Sequence, residues 1–432
     1  MDDCGSRTRG NGGARLGAAW MLGVLCLLLA GCSTMHTKRV NYKLESRYSI
    51  IDPQFLRSMG QLLGPEMSAS NHVVAFKNGD QIFPAMIEAI RGAQKSICLE
   101  TYIYWSGEAG QRVSDALCER ARAGVKVHVL IDWIGARHLD KALLDQMREA
   151  GIEVLKYNPL YVFNILRLNH RDHRKLLIVD GRIGITGGAG VADLWLGNAE
   201  NPRQWRDSMF RLEGPAVGQM QAAFMDNWIK TTTRVLDGDA YFPELRPAGE
   251  DKVQVFISSP RNGVENVRLM YLMAINAARK NIRLAVPYFV PGDLTLDALV
   301  EARQRGVEVE IIVPGARTDA PPVRHASRAK WGELLRAGVR IYEFQPSMYH
   351  CKYMVVDDIW VTVGSANFDN RSFSLNDECN MNVYSPRFAR DVVTMFETDK
   401  QRAHQATYEE WKGRSLYKRF LEVLTAPFRS FL

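Results

Sequence analysis

Two stretches of this 432-residue chain repeat one spacing of chemically capable side chains. The first is His173-Arg174-Lys175-Leu176-Leu177-Ile178-Val179-Asp180 and the second is His350-Cys351-Lys352-Tyr353-Met354-Val355-Val356-Asp357, both His-x-Lys-x4-Asp. In each, six residues separate the Asp from a small-residue turn, Gly187-Gly188 or Gly364-Ser365, where backbone can approach a ligand. A histidine and a lysine two apart on a strand share a face, which makes an anion site with a titratable group beside it. Two such sites brought together flank one phosphate with two imidazoles and hold its oxygens with two ammonium groups. That suits in-line displacement at phosphorus, with one imidazole attacking and the other protonating the leaving alcohol, while the lysines neutralise charge on the oxygens. No metal-ligand spacing accompanies the motifs, so neither a metal nor another cofactor is expected. His170, three residues before His173, is read as a loop histidine.

The elements that must carry these motifs are themselves repeated. Apolar spacing predicts helices over 85–95, 113–123 and 143–150 and strands over 96–104, 125–131 and 152–157, with Gly124 and Gly151 closing helices. Gly124-Val125-Lys126-Val127 answers to Gly306-Val307-Glu308-Val309, and Ala150-Gly151-Ile152-Glu153-Val154 to Ala337-Gly338-Val339-Arg340-Ile341. Helix–strand alternation with buried strands predicts an α/β protein of two homologous repeats, each a mostly parallel or mixed sheet covered by helices. The repeats are expected over 73–235 and 250–415, after an irregular linker over 32–72 and before an apolar, basic tail over 416–432. Neither His-Lys pair is a whole site, so the active site is expected where the repeats face each other.

Together with Gly364-Ser365-Ala366-Asn367-Phe368-Asp369-Asn370-Arg371-Ser372 and Leu375-Asn376-Asp377-Glu378, the motifs resemble the phospholipase D superfamily. Pro287-Tyr288-Phe289-Val290-Pro291 and Glu100-Thr101-Tyr102-Ile103 are similar to its lipid-synthesising branch, the bacterial cardiolipin synthases. The resemblance implies a covalent phosphohistidine formed without metal. By the family pattern His173 is the nucleophile and His350 the general acid, although the near-symmetry of the repeats leaves that order open. It further implies that Lys175, Lys352 and Asn367 bind phosphate, with Ser365 and Gly188 lining the substrate at the two turns. Glu378 then orients an imidazole, and Asp207 of Trp205-Arg206-Asp207 takes that role for the first repeat. Asp180 and Asp357 complete the catalytic motifs and are expected to brace them rather than touch substrate. One position departs: the family's first motif carries Asn two residues after the glycine pair, and this chain has Gly190, which removes one side-chain phosphate donor.

Lys and Arg number 55 against 48 Asp and Glu, a net charge of +7, which suits an anionic partner. Arg7, Arg9 and Arg15 followed by an apolar run to Ala30 read as a secretory signal over 1–31. Leu29-Ala30-Gly31-Cys32 resembles the bacterial lipobox, which implies a lipid anchor on Cys32 at the periplasmic face. Ser33 in place of an aspartate makes the outer membrane the default. The apolar stretch over 158–168 and the tail, with Phe420, Leu421, Val423 and Leu424 beside Lys418 and Arg419, add two further membrane-facing candidates. The expected reaction condenses two phosphatidylglycerols to cardiolipin and glycerol; water as acceptor would give a hydrolytic phospholipase D. An anionic phospholipid and a membrane surface are the expected partners, with no nucleic acid and no obligate protein. A nuclease of the same superfamily remains the less favoured alternative.

Overall fold

The computed structural model describes residues 48–159, 169–260 and 265–425. In the first half the strands are β1 (Ser68–Lys77), β2 (Ser96–Thr101), β3 (Lys126–Asp132), β4 (Glu153–Tyr157), β5 (Lys175–Val179), β6 (Ile183–Gly187) and β7 (Ser208–Glu213). The second half holds β8 (Asp251–Ser258), β9 (Asn281–Ala285), β10 (Phe289–Val290), β11 (Glu308–Pro314), β12 (Arg340–Phe344), β13 (Tyr353–Val356), β14 (Trp360–Gly364), β15 (Phe368–Asp369), β16 (Glu378–Tyr384) and β17 (Ala403–Ala406). In each half three strands run parallel, β2-β3-β4 and β9-β11-β12, joined by helices such as Glu108–Arg122 and Asp293–Gln304.

The two halves do not form two separate sheets. β1 and β8 pair antiparallel, and the order β17-β12-β11-β9-β13-β14-β16-β8-β1-β7-β6-β5-β2-β3-β4 makes one 15-stranded sheet. The sheet is mixed, and most of its pairings are antiparallel. The reason lies after the helix-connected strands: β5 and β13 each turn through a hairpin into β6 and β14, and a hairpin imposes an antiparallel neighbour. One apolar cluster, including Phe210, Trp228, Val253, Tyr349 and Phe388, runs across both halves.

The expected linker over 32–72 also contains structure. Pro53–Leu63 is a helix, capped by the Asp52 side chain, which accepts from Gln54 N–H. It buries Phe55, Met59 and Leu63, and the Phe55 ring meets Trp360 edge-on at 6.0 Å. Ile50 N–H donates to Ala277 O at 3.0 Å, so this segment packs on the second half although it precedes the first.

The two motif aspartates sit at the hairpin turns. Asp180 and Asp357 adopt left-handed backbone, φ 53° and 52°, which aspartate tolerates better than most residues. The Asp180 carboxylate accepts from the backbone N–H of Gln94, Lys95 and Ser96, and Asp357 accepts from Arg279, Lys280 and Asn281. Each clamps its motif hairpin to the start of the neighbouring strand, at the end of the strand opposite the histidine.

Candidate active site

His173 and His350 lie just before β5 and β13 rather than within them, and each is fixed by backbone from the other half. His173 N–H donates to Asp377 O at 3.0 Å and Asp377 N–H to Arg171 O at 2.8 Å. In the mirrored place, His350 N–H donates to Arg206 O at 2.8 Å and Arg206 N–H to Met348 O at 2.9 Å. These two short parallel bridges put the residue after each bridge, Glu378 and Asp207, beside the histidine of the opposite repeat. His173 Nδ1 lies 3.0 Å from both Glu378 oxygens, and His350 Nδ1 lies 2.7 Å from Asp207 Oδ2. The carboxylates are therefore exchanged: Asp207, from the first repeat, orients the second repeat's histidine.

Both lysines fold back onto their own motifs. Lys175 Nζ donates to His173 O at 2.8 Å, and Lys352 Nζ donates to His350 O at 2.8 Å while lying 3.1 Å from the ring nitrogens. All six side chains of the two sets are buried. Burial pushes Lys175 down to about 7, helped by the charge of Lys352, and Lys352 is lowered by burial as well. Burial also lowers His173, which Glu378 opposes and Lys175 reinforces; His350 is lowered by burial and by Lys352, with Asp207 opposing. Burial alone would raise Glu378 and Asp207, but each is held below the usual carboxylate range by its histidine and by the lysines. The result is two imidazoles, each donating Nδ1–H to an ionised carboxylate, beside two lysines that burial depresses and those carboxylates partly support. An arriving phosphate adds negative charge that favours the ammonium form of both.

The halves differ in how they support the carboxylates. Glu378 accepts from Ser365 Oγ, from Ser372 Oγ at 2.7 Å and from Asn376 Nδ2 at 3.2 Å. Asp207 accepts instead from Trp195 Nε1 and from Ser208 N–H, both at 2.8 Å. A side chain at Gly188, the counterpart of Ser365, would collide with Asp207 Oδ1 at 2.2 Å. The turn N–H groups are already used, Gly188 to Ser208 O and Ser365 to Cys379 O. Ser365 thus holds Glu378 through its hydroxyl, and the bare Cα of Gly188 leaves the room that Asp207 occupies. Asn367 is different: its side-chain amide makes no hydrogen bond among the described residues, and Oδ1 is buried without a partner. At Gly190, its counterpart, a Cβ would meet Ile103 at 3.0 Å and Trp195 at 3.2 Å, so the missing donor's space is filled by apolar and aromatic atoms.

Several contributors carried no motif signal strong enough to find them. Tyr102 meets His173 edge-on at 5.5 Å, and Tyr288 meets His350 at 6.2 Å. Both lie in stretches singled out for their resemblance, yet nothing in one sequence marks the ring as the reason. Trp195 and Trp205 pack on His350 at 5.6 and 5.2 Å. Beneath His173, buried Arg174 reaches Asp226 Oδ2 at 2.8 Å and Asp377 Oδ1 at 3.9 Å, while Glu100 and Asp172 face each other with one donor-less oxygen apiece. Burial raises both, Glu100 to about 7, with the charge of Arg174 opposing. Cys32, the signal, and the apolar stretch from 160 to 168 lie outside the described residues.

With this geometry the comparisons agree. Residues 86–228 and 271–400 match the family described as cardiolipin synthase, phospholipase D-like domain, one segment per repeat. The chain is 36% identical over 355 residues to cardiolipin synthase 1 of Bacillus cereus, covering 80% of this chain and 69% of that protein. It is 34% identical over 411 residues to the major cardiolipin synthase of Bacillus subtilis, covering 94% of this chain and 84% of that one. Phosphatidylserine synthase of Haemophilus influenzae shares the fold at TM-score 0.68 and 16% identity, over 87% of this chain and 99% of the other. Two sequence-matched repeats whose histidines, lysines and exchanged carboxylates meet in one buried site leave a single family assignment: the chain belongs to the phospholipase D-like cardiolipin synthase family.

Proposed function

We propose that this protein condenses two phosphatidylglycerol molecules into cardiolipin and glycerol through a phosphohistidine. The observation that carries the reading is the exchange of Glu378 and Asp207 between repeats, which engages Nδ1 of each imidazole and leaves Nε2 unbound by a carboxylate, beside two buried lysines. His173 Nε2 attacks phosphorus; the phosphodiester's negative charge offsets Lys175 and Lys352 and restores basicity to His350. His350, which takes up a proton from solvent as the diester binds and is stabilised as imidazolium by Asp207, then gives its Nε2 proton to the departing glycerol oxygen and is left neutral. In the second step His350 takes the proton of a hydroxyl on a second phosphatidylglycerol. That oxygen attacks phosphorus, and the P–N bond to His173 breaks. Lys175, Lys352 and Asn367 hold the oxygens on which charge builds.

A lipid surface is part of the same reading. Among the described residues no helix is long and apolar enough to cross a membrane. The helix Leu416–Thr425, however, exposes Leu416, Tyr417, Phe420, Val423 and Leu424 beside Lys418 and Arg419, a pattern suited to an anionic interface. Anchoring at Cys32 on the periplasmic side belongs to this proposal.

The test is to incubate the full chain, dispersed in detergent, with labelled phosphatidylglycerol and separately with DNA, with and without chelator. Cardiolipin plus glycerol, insensitive to chelator, is expected. Phosphatidic acid without cardiolipin would make the protein a hydrolase, and DNA cleavage without lipid turnover would overturn the reading. His173→Ala and His350→Ala should each lower turnover by roughly 10³-fold or more. Phosphoenzyme trapped in His350→Ala but absent from His173→Ala would establish the order of roles.

A further inference from the structure

We infer that Tyr288 and Asp319 form a subsite for the hydroxyl groups of a glycerol headgroup, on the leaving-alcohol side of the centre. The inference rests on the reading of this site as one of phosphatidyl transfer.

Tyr288 stands between β9 and β10, its ring edge-on to His350 at 6.2 Å, and Asp319 follows β11 in an exposed loop before the helix Pro321–Arg328. Tyr288 Oη donates to Asp319 Oδ2 at 2.6 Å. Burial, with Asp319 beside it, pushes the phenol well up, so it stays a donor. No other partner of Asp319 occurs among the described residues, which leaves Oδ1 and the lone pairs of Tyr288 Oη as two adjacent acceptors. The charge of Asp319 also reaches His350 and Lys352, raising both against burial. This carboxylate therefore lies within electrostatic reach of the group that protonates the leaving oxygen, joined to its ring neighbour Tyr288 by a hydrogen bond.

The opposite wall has the opposite character. Tyr102, against His173, lies in the field of Asp132 first and then of Arg371, Arg171 and Arg137, three guanidinium groups to one carboxylate. The chamber is thus cationic beside one histidine and rich in acceptors beside the other. A phosphodiester carrying glycerol presents an anion and, beyond it, a vicinal diol with two O–H donors. That diol matches two acceptors side by side. An ammonium headgroup would also suit a carboxylate, but Lys352 stands on the same side and opposes a second cation.

The test compares donor cleavage of phosphatidylglycerol, phosphatidylethanol and phosphatidylethanolamine with matched acyl chains in mixed micelles, reading released alcohol for the full chain and for Asp319→Asn and Asp319→Ala. Losing a hydrogen bond to a charged acceptor should lower the ratio of kcat/KM for phosphatidylglycerol over phosphatidylethanol about tenfold or more. A global loss through misfolding lowers all rates together and leaves that ratio where it was. An unchanged ratio in variants that keep the phosphatidylethanol rate of the unsubstituted chain overturns the inference, and so does a larger loss with phosphatidylethanolamine than with phosphatidylglycerol. Failure of the unsubstituted chain to cleave phosphatidylglycerol would overturn the transfer reading along with it; an unchanged ratio in a chain that makes cardiolipin overturns only the subsite.

Discussion

The two histidines have the same kind of partner but different surroundings, and this sets their separate roles in a pH profile. Asp207 is the charge that favours imidazolium at His350, so Asp207→Asn lowers the His350 pKa further. A smaller protonated fraction at any pH moves the alkaline limb of kcat to lower pH, and kcat itself should fall on the order of 100-fold. Glu378→Gln acts on His173, which must be neutral to attack; loss of the charge lowers its pKa and moves the acid limb of kcat/KM to lower pH as well. Profiles of the two variants measured in parallel check the assignment, and an alkaline limb unmoved in Asp207→Asn would remove Asp207 from this role. The lysine, histidine and Glu378 positions were legible in the residues and in the family they resemble. The exchange of carboxylates was not, because it depends on two backbone bridges between residues more than 140 positions apart.

Among the elements, the motif hairpins show what the final aspartate of each motif does. Three N–H bonds to Asp357, at 2.7 to 3.0 Å, tie the β13–β14 turn to the entry of β9. Asp357→Ala removes those bonds and places a residue that disfavours left-handed backbone at φ 52°. The expected cost is about 2–4 kcal/mol, read as a lower urea midpoint at unchanged m, with kcat of the folded fraction close to that of the unsubstituted chain. Unchanged stability with lost turnover would instead put Asp357 in the chemistry. The x4 apolar run between lysine and aspartate was a readable sign that the aspartate lies a full buried strand away from the site. The helix Pro53–Leu63, inside the segment expected to be irregular, was not legible, because Phe55, Met59 and Leu63 are a short apolar stripe and its docking on the second half follows no local pattern.

For the whole molecule, exchange means that neither repeat is a smaller enzyme. The first repeat alone holds His173 without Glu378, and the second holds His350 without Asp207. Fragments covering 66–235 and 250–425 should each fail to turn over phosphatidylglycerol, and co-expression should restore activity through the β1–β8 pairing. Turnover by either fragment alone would show that the exchanged carboxylates are dispensable. The sequence by itself determined the duplication, the paired histidine–lysine motifs and the family, because identity, spacing and periodicity are local properties that survive in a one-dimensional string. Only the tertiary structure decided that the halves share one sheet, that each carboxylate serves the other half's histidine, and that Gly190 leaves no empty space. Those features depend on which strands become neighbours and on atoms competing for one volume, and Trp195 over Gly190 is settled by packing that no spacing rule encodes.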